Sequence, residues 1–130
     1  MKFTLVIHSA PASQQSSQSA LLFAKAALQA GHVIYRLFFY GDGVHNATSL
    51  NVTPQDEFDI PVAWQTLIEQ HTLDAVACIA AGLKRGLIDE SEARRHERPA
   101  YNLNPVFELS GLGQLLDAAV KSDRVVTFGG

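Results

Sequence analysis

Cys78 is the only cysteine among the 130 residues, and it stands inside the segment Asp74-Ala75-Val76-Ala77-Cys78-Ile79-Ala80-Ala81-Gly82-Leu83-Lys84-Arg85-Gly86. The apolar run over 74–80 predicts a buried strand, and residues 82–85 before Gly86 predict a short helix, so the sulfur falls where strand gives way to helix. The free backbone N–H groups and positive dipole end of a helix start stabilise a thiolate, and Lys84 and Arg85 stand close by in sequence. A thiolate so placed can attack an electrophilic sulfur or be loaded with one. With no second cysteine it closes no internal disulfide, so a redox or sulfur-transfer cycle must pass through another molecule. Cysteine is also among the residues most often buried for packing alone, and the local sequence leaves both readings open.

Other residue types offer weaker chemistry. His8 closes the first apolar run and would suit a Cys–His hydrolase as its base, but no orienting carboxylate or oxyanion loop accompanies it. His32, His45, His71 and His96 show no ligand spacing, and with one cysteine no metal site is predicted. Residues 9–19, rich in Ser and Gln and leading into a helix, could cradle the phosphate of a flavin or nucleotide. The segment lacks the glycine that close backbone approach would need. Lys84, Arg85, Arg94, Arg95 and Arg98 make up half of the ten Lys and Arg residues, interleaved with Asp89, Glu90, Glu92 and Glu97. Such a run is either a solvated charged face or a docking surface beside Cys78 for an acidic partner.

The elements that must position these groups are legible from pattern. Residues 3–7 form a nearly continuous apolar run, a strand covered on both faces. Residues 20–30 are good helix formers stopped by Gly31, and 33–40 are β-branched and aromatic, ended by Gly41-Asp42-Gly43. Residues 44–59 are polar, contain Pro54 and keep no period, which predicts a long surface excursion of the kind that contacts partners. A helix over 61–70 places Trp64, Leu67 and Ile68 on one core-facing stripe. Beyond the 74–80 strand come a helix near 89–96, capped by Asp89 with Glu90 paired to Arg94, a short strand in 104–109, a helix from Ser110 to Val120, and a closing strand over 124–128.

Strands alternating with helices predict an α/β, three-layer α/β/α domain spanning 1–130, with a mainly parallel sheet of about five strands in flavodoxin-like order, the first strand between the second and third. In any such sheet reacting groups gather at the carboxyl ends of the strands, so His8, Tyr40 and Cys78 are expected on one edge. A chain of this length with 47% hydrophobic residues supports one sizeable core. The net charge of −3 gives no general attraction for nucleic-acid backbones. The apolar stretch at 1–8 is too short for a membrane span and lacks a signal peptide's basic flank, and the unpaired thiol suits a reducing compartment, so a cytoplasmic protein is expected.

Several blocks, taken in order, resemble the DsrE/TusD family of sulfur-relay proteins. They are Gly31-His32, Phe38-Phe39-Tyr40-Gly41-Asp42-Gly43-Val44, Asp56-Glu57-Phe58-Asp59, Ala63-Trp64-Gln65, Cys78 with Lys84-Arg85-Gly86, Asp89-Glu90 with Glu92-Ala93, Leu109-Ser110-Gly111-Leu112-Gly113 and Asp123-Arg124-Val125-Val126. The resemblance implies a DsrE-like fold and a sulfurtransferase in which Cys78 accepts a persulfide sulfur and passes it on. It also implies a place in the relay toward 2-thiouridine at the tRNA wobble position, or in the related relay of sulfur oxidation, without a dissociable cofactor. Its implied partners are homologous TusB-like and TusC-like subunits in a heterohexamer, a TusA-like donor and a TusE-like acceptor. The chain departs from the pattern at Ala12-Ser13 after Pro11, where relatives tend to carry Tyr-Gly, and its final Gly129-Gly130 has no assigned role.

Overall fold

The computed structural model describes residues 1–129. Its strands are β1 (Lys2–Ile7), β2 (Val33–Phe39), β3 (Ala75–Cys78), β4 (Glu108–Ser110) and β5 (Arg124–Phe128). The helices between them are α1 (Ser16–Gln29), α2 (Ile60–His71), α3 (Ile79–Arg85), α4 (Glu90–Arg95) and α5 (Gly113–Lys121), with a 3-10 helix, Gly41–Ala47, after β2. All five strands are parallel, in the spatial order β4-β3-β2-β1-β5. The parallel α/β sheet is as expected, but the strand order is not. β1 lies between β2 and β5 rather than between β2 and β3, so the reversal of strand order falls at β1/β5, away from Cys78.

This order fixes the layers. From β1 to β4 the chain steps along the sheet in one direction, and right-handed crossovers put the intervening helices on one face; the return from β4 to β5 puts α5 on the other. Leu5, Ile7, Leu21, Leu37, Phe38, Phe39, Trp64 and Val76 are almost wholly buried in the resulting core. Phe39 meets Trp64 and Phe107 edge to face, with centroids 5.3 and 5.2 Å apart, an arrangement favoured by the ring quadrupoles. On the α5 side the buried Arg36 of β2 is held by Asp74 at 2.7 Å and Asp117 at 3.0 Å, tying β2 to the start of β3 and to α5.

Local chemistry sets the boundaries. Asp59 accepts a hydrogen bond from the Val62 N–H at 3.1 Å, and Pro61 sits in the first turn of α2. Asp89 caps α4 in the same way through Glu92 N–H at 2.8 Å, and the expected Glu90–Arg94 pair forms at 2.7 Å. Ser110 does not cap α5: it ends β4 in register with Cys78, and α5 starts without a side-chain cap. The expected surface excursion is corrected at its start. Val44, Asn46 and Ala47, within the 3-10 helix, are buried, because Gly43 lets that helix press on the end of β1. A Cβ at Gly43 would lie 1.9 Å from the Ile7 carbonyl oxygen. At the far end of the chain the Gly129 carbonyl accepts a hydrogen bond from the Ser16 hydroxyl; Gly130 lies outside the described residues.

Candidate functional site

The three expected edge residues do line up. Ile7, Phe39 and Ala77 are partners across β1, β2 and β3, so the next residues along, His8, Tyr40 and Cys78, form a row at the carboxyl edge, with Ser110 on the other side of Cys78. Since Phe39 faces Trp64 on α2, alternation turns this row to the opposite side of the sheet. His8 and Tyr40 are in ring contact at 5.4 Å. His8 and Cys78 are separated by β2, two strand spacings or about 10 Å. That is too far for a nucleophile–base hydrogen bond and leaves the Cys–His hydrolase reading without geometry.

Cys78 occupies the junction expected of it, the last residue of β3 and the cap position of α3. Its side chain is shut away from solvent. The residue is 2% exposed and belongs to the apolar core cluster, and the 3-10 helix packs against both β3 and α3. The two cations expected beside the sulfur are spent elsewhere or face outward. Arg85, at the far end of α3, donates to Asp42 of the 3-10 helix at 2.8 Å and to the Ala81 carbonyl at 3.1 Å. This bond, and then the guanidinium charge, hold the Asp42 carboxyl below its ordinary range. Lys84 is exposed. The thiol is therefore buried, at a strand end beside which the Arg85–Asp42 ion pair ties α3 to the 3-10 helix.

The anchorage of the 3-10 helix was not legible in sequence. The buried Asn46 donates to the Ser9 and Gly43 carbonyls, both at 2.9 Å, and accepts from the Ser17 hydroxyl at 2.7 Å. Ser17 in turn accepts from the Trp64 indole N–H at 3.1 Å. This chain of bonds joins the 3-10 helix to β1, α1 and α2. It also commits Ser16 and Ser17, the hydroxyls at the start of α1 that a phosphate-cradle reading would use, to internal partners. Asn46 had no signal beyond lying in a polar stretch; Trp64 was legible only as a core residue.

The basic segment divides into paired and unpaired charges. Arg94 pairs with Glu90, and Arg95 and His96 both approach the buried Glu92, at 3.8 and 3.7 Å. Among the described residues, no carboxylate lies within ion-pair reach of Lys84 or Arg98. Nor do those residues contain a group of three or more His, Cys, Asp or Glu able to hold a metal, or a helix long and apolar enough to cross a membrane.

Residues 1–128 match the DsrE/DsrF-like family. The chain belongs to that family. It is 52% identical to a protein named putative sulfurtransferase DsrE from Allochromatium vinosum, over 99% of both chains. It is 53% identical to a sulfurtransferase TusD homolog from Pseudomonas aeruginosa, over 100% of this chain and 98% of the other. Sulfurtransferase TusD from Cronobacter sakazakii is 46% identical over 98% of this chain and 100% of the other. The crystal structure of the ychN protein from E. coli superposes with a TM-score of 0.77 at 19% identity, covering 98% of this chain and 99% of that one. The DsrE-like fold expected from the sequence blocks is thus the fold observed.

Proposed function

We propose that this DsrE/DsrF-like chain is a cytoplasmic sulfurtransferase that holds a transferable sulfur on Cys78 as a persulfide and relays it to a partner protein for 2-thiolation of the tRNA wobble uridine. The observation that carries the reading is the position of Cys78: the only thiol of the chain, at the carboxyl edge of a parallel sheet and at a strand-to-helix junction, in a chain 42–53% identical to named sulfurtransferases.

The chemistry needs no external redox partner. The Cys78 thiolate attacks the terminal sulfur of a donor persulfide; a new S–S bond forms at Cys78, the donor's S–S bond breaks, and the donor leaves as a thiolate. In the second half an acceptor thiolate attacks the terminal sulfur on Cys78, and the Cys78 thiolate leaves. Because the side chain is 2% exposed, each half-reaction requires the cover formed by the 3-10 helix and α3 to open. Burial between transfers protects the terminal sulfur from water and stray thiols. A TusA-like donor, a TusE-like acceptor and TusB-like and TusC-like subunits in a heterohexamer are the partners this reading entails.

A second reading, a subunit of a sulfur-oxidation relay, is favoured by one observation: the 52% identity to the Allochromatium protein named DsrE is level with the 53% to the TusD homolog. Both readings use the same thiol and differ in the acceptor. The test is incubation of the purified chain with a persulfide donor followed by mass spectrometry. Gain of one sulfur atom, mapped to Cys78 and lost on reduction, supports the reading; an unmodified Cys78 refutes it.

A further inference from the structure

On the outer side of α3 lies a cavity of about 430 Å³ whose lining includes Leu50, Leu83, Ile88, Tyr101 and Arg98. Its size suits one or two bulky side chains. Leu50, Leu83 and Tyr101 are 70%, 38% and 54% exposed, so an apolar surface is presented to solvent among the described residues.

The charge at its rim is placed by backbone geometry. At the end of α4, Glu97 adopts a left-handed conformation, φ 56°. The Arg98 N–H bonds back to the Ala93 carbonyl at 2.8 Å, and the Glu97 N–H to the Arg94 carbonyl at 3.3 Å. This is the double bond pattern of a Schellman termination, held here by a glutamate where glycine is usual. It reverses the chain and sets Arg98 against the cavity, where the guanidinium donates only to the His96 carbonyl at 2.9 Å among the described residues. Arg94 and Arg95 on α4 are instead paired with Glu90 and Glu92. An open apolar hollow beside one unpaired guanidinium is complementary to an apolar side chain next to a carboxylate. The hollow borders the helix that Cys78 caps. Leu83 is five residues beyond Cys78, about 7 Å along the helix axis.

We propose that this cavity is the docking socket for the protein that delivers sulfur to Cys78, taking an apolar side chain between Leu83, Ile88 and Tyr101 and an adjacent carboxylate on Arg98. The inference rests on the persulfide reading of Cys78. It replaces Arg94 and Arg95, already paired within α4, by Arg98 as the cation that meets an acidic carrier.

The test compares the intact chain with its Arg98→Glu, Leu83→Asp and Arg94→Glu variants, in affinity for a TusA-like carrier by calorimetry and in loading of Cys78 by glutathione persulfide. Loss of about ten-fold or more in carrier affinity for Arg98→Glu and Leu83→Asp, with Arg94→Glu within about two-fold of the unsubstituted chain, supports the socket. Wild-type affinity in both socket variants, an equal loss in Arg94→Glu, or no carrier binding by the unsubstituted chain overturns it. Arg98→Met, which keeps the stem and drops the charge, replaces Arg98→Glu should that variant not fold. The small donor needs no socket and should load Arg98→Glu and Arg94→Glu as readily as the unsubstituted chain. If it fails to load even the unsubstituted chain, the persulfide reading falls, while the affinities still decide the socket.

Discussion

Ser17→Ala tests whether the 3-10 helix over Cys78 is held by the polar network beneath it. The Ser17 hydroxyl is fully buried, donates to Asn46 and accepts from Trp64, whose side chains are themselves buried. Removing it changes the shape little but strands the Asn46 oxygen and the Trp64 indole N–H away from water. Each stranded buried group costs about 1–3 kcal/mol, and two coupled groups together about 3 kcal/mol. For 130 residues, with an unfolding entropy of about 2.1 cal/mol/K per residue, that is a fall of about 10 °C in Tm. Since Asn46 anchors the cover, the rate at which a thiol reagent labels Cys78 in the folded protein should rise with it. Thermal melts and stopped-flow labelling below the transition measure the two effects, with the exposed Ser19→Ala as the neutral control. A loss of stability under about 1 kcal/mol together with unchanged labelling would refute the argument that this network fastens the cover.

Three other outcomes follow from the same structure. Gly43→Ala places a methyl group 1.9 Å from the Ile7 carbonyl oxygen, which backbone cannot evade cheaply; urea titration should show a loss of about 3 kcal/mol or more, and a near-neutral result would place the 3-10 helix elsewhere. Arg85→Gln breaks the exposed tie to Asp42 and should accelerate Cys78 labelling by no more than about five-fold with the fold intact, an upper limit set by the small worth of such pairs; slower labelling would contradict it. The Asp117 carboxyl is held down to about 2, from an ordinary 3.8, first by Lys121 and then by the Tyr35 hydroxyl and Arg36. A folded-state value below the unfolded one supplies stability that is present above the unfolded value and lost as pH falls toward 2. The Tm of Asp117→Asn should therefore drop less steeply between pH 4 and pH 2 than that of the unsubstituted chain, and parallel curves would count against the pairing.

Most elements were legible because their signals are local. β1, β2 and β5 are apolar or β-branched runs between turn residues, and the observed strands match the expected ones to within a residue. Asp59, Pro61 and Asp89 announce helix starts through bonds that span three residues. What failed was non-local. The right-handed crossover rule fixes the face a helix takes once the strand order is known, and does not choose between placing β2 beside β3 and placing β1 there. The burial of Val44 and Asn46 was hidden because Asn46 reads as a loop residue until its partners on β1 and α1 are known. Closeness in sequence also misled at Arg85: seven residues beyond Cys78 along the chain, it reaches Asp42 on another element. The junction holding the thiol was legible, and the burial of the thiol was not.

Passage of sulfur through Cys78 is the step on which the proposed function stands. Its most direct test is single-turnover transfer of labelled sulfur: load the chain from a radiolabelled persulfide donor, remove the donor, add a TusE-like acceptor and follow the label. With Cys78 as the carrier, label leaves Cys78 and appears on the acceptor with matching rates, and a folded Cys78→Ser variant transfers none. Label reaching the acceptor through Cys78→Ser, or remaining on a loaded Cys78 in the acceptor's presence, would contradict it.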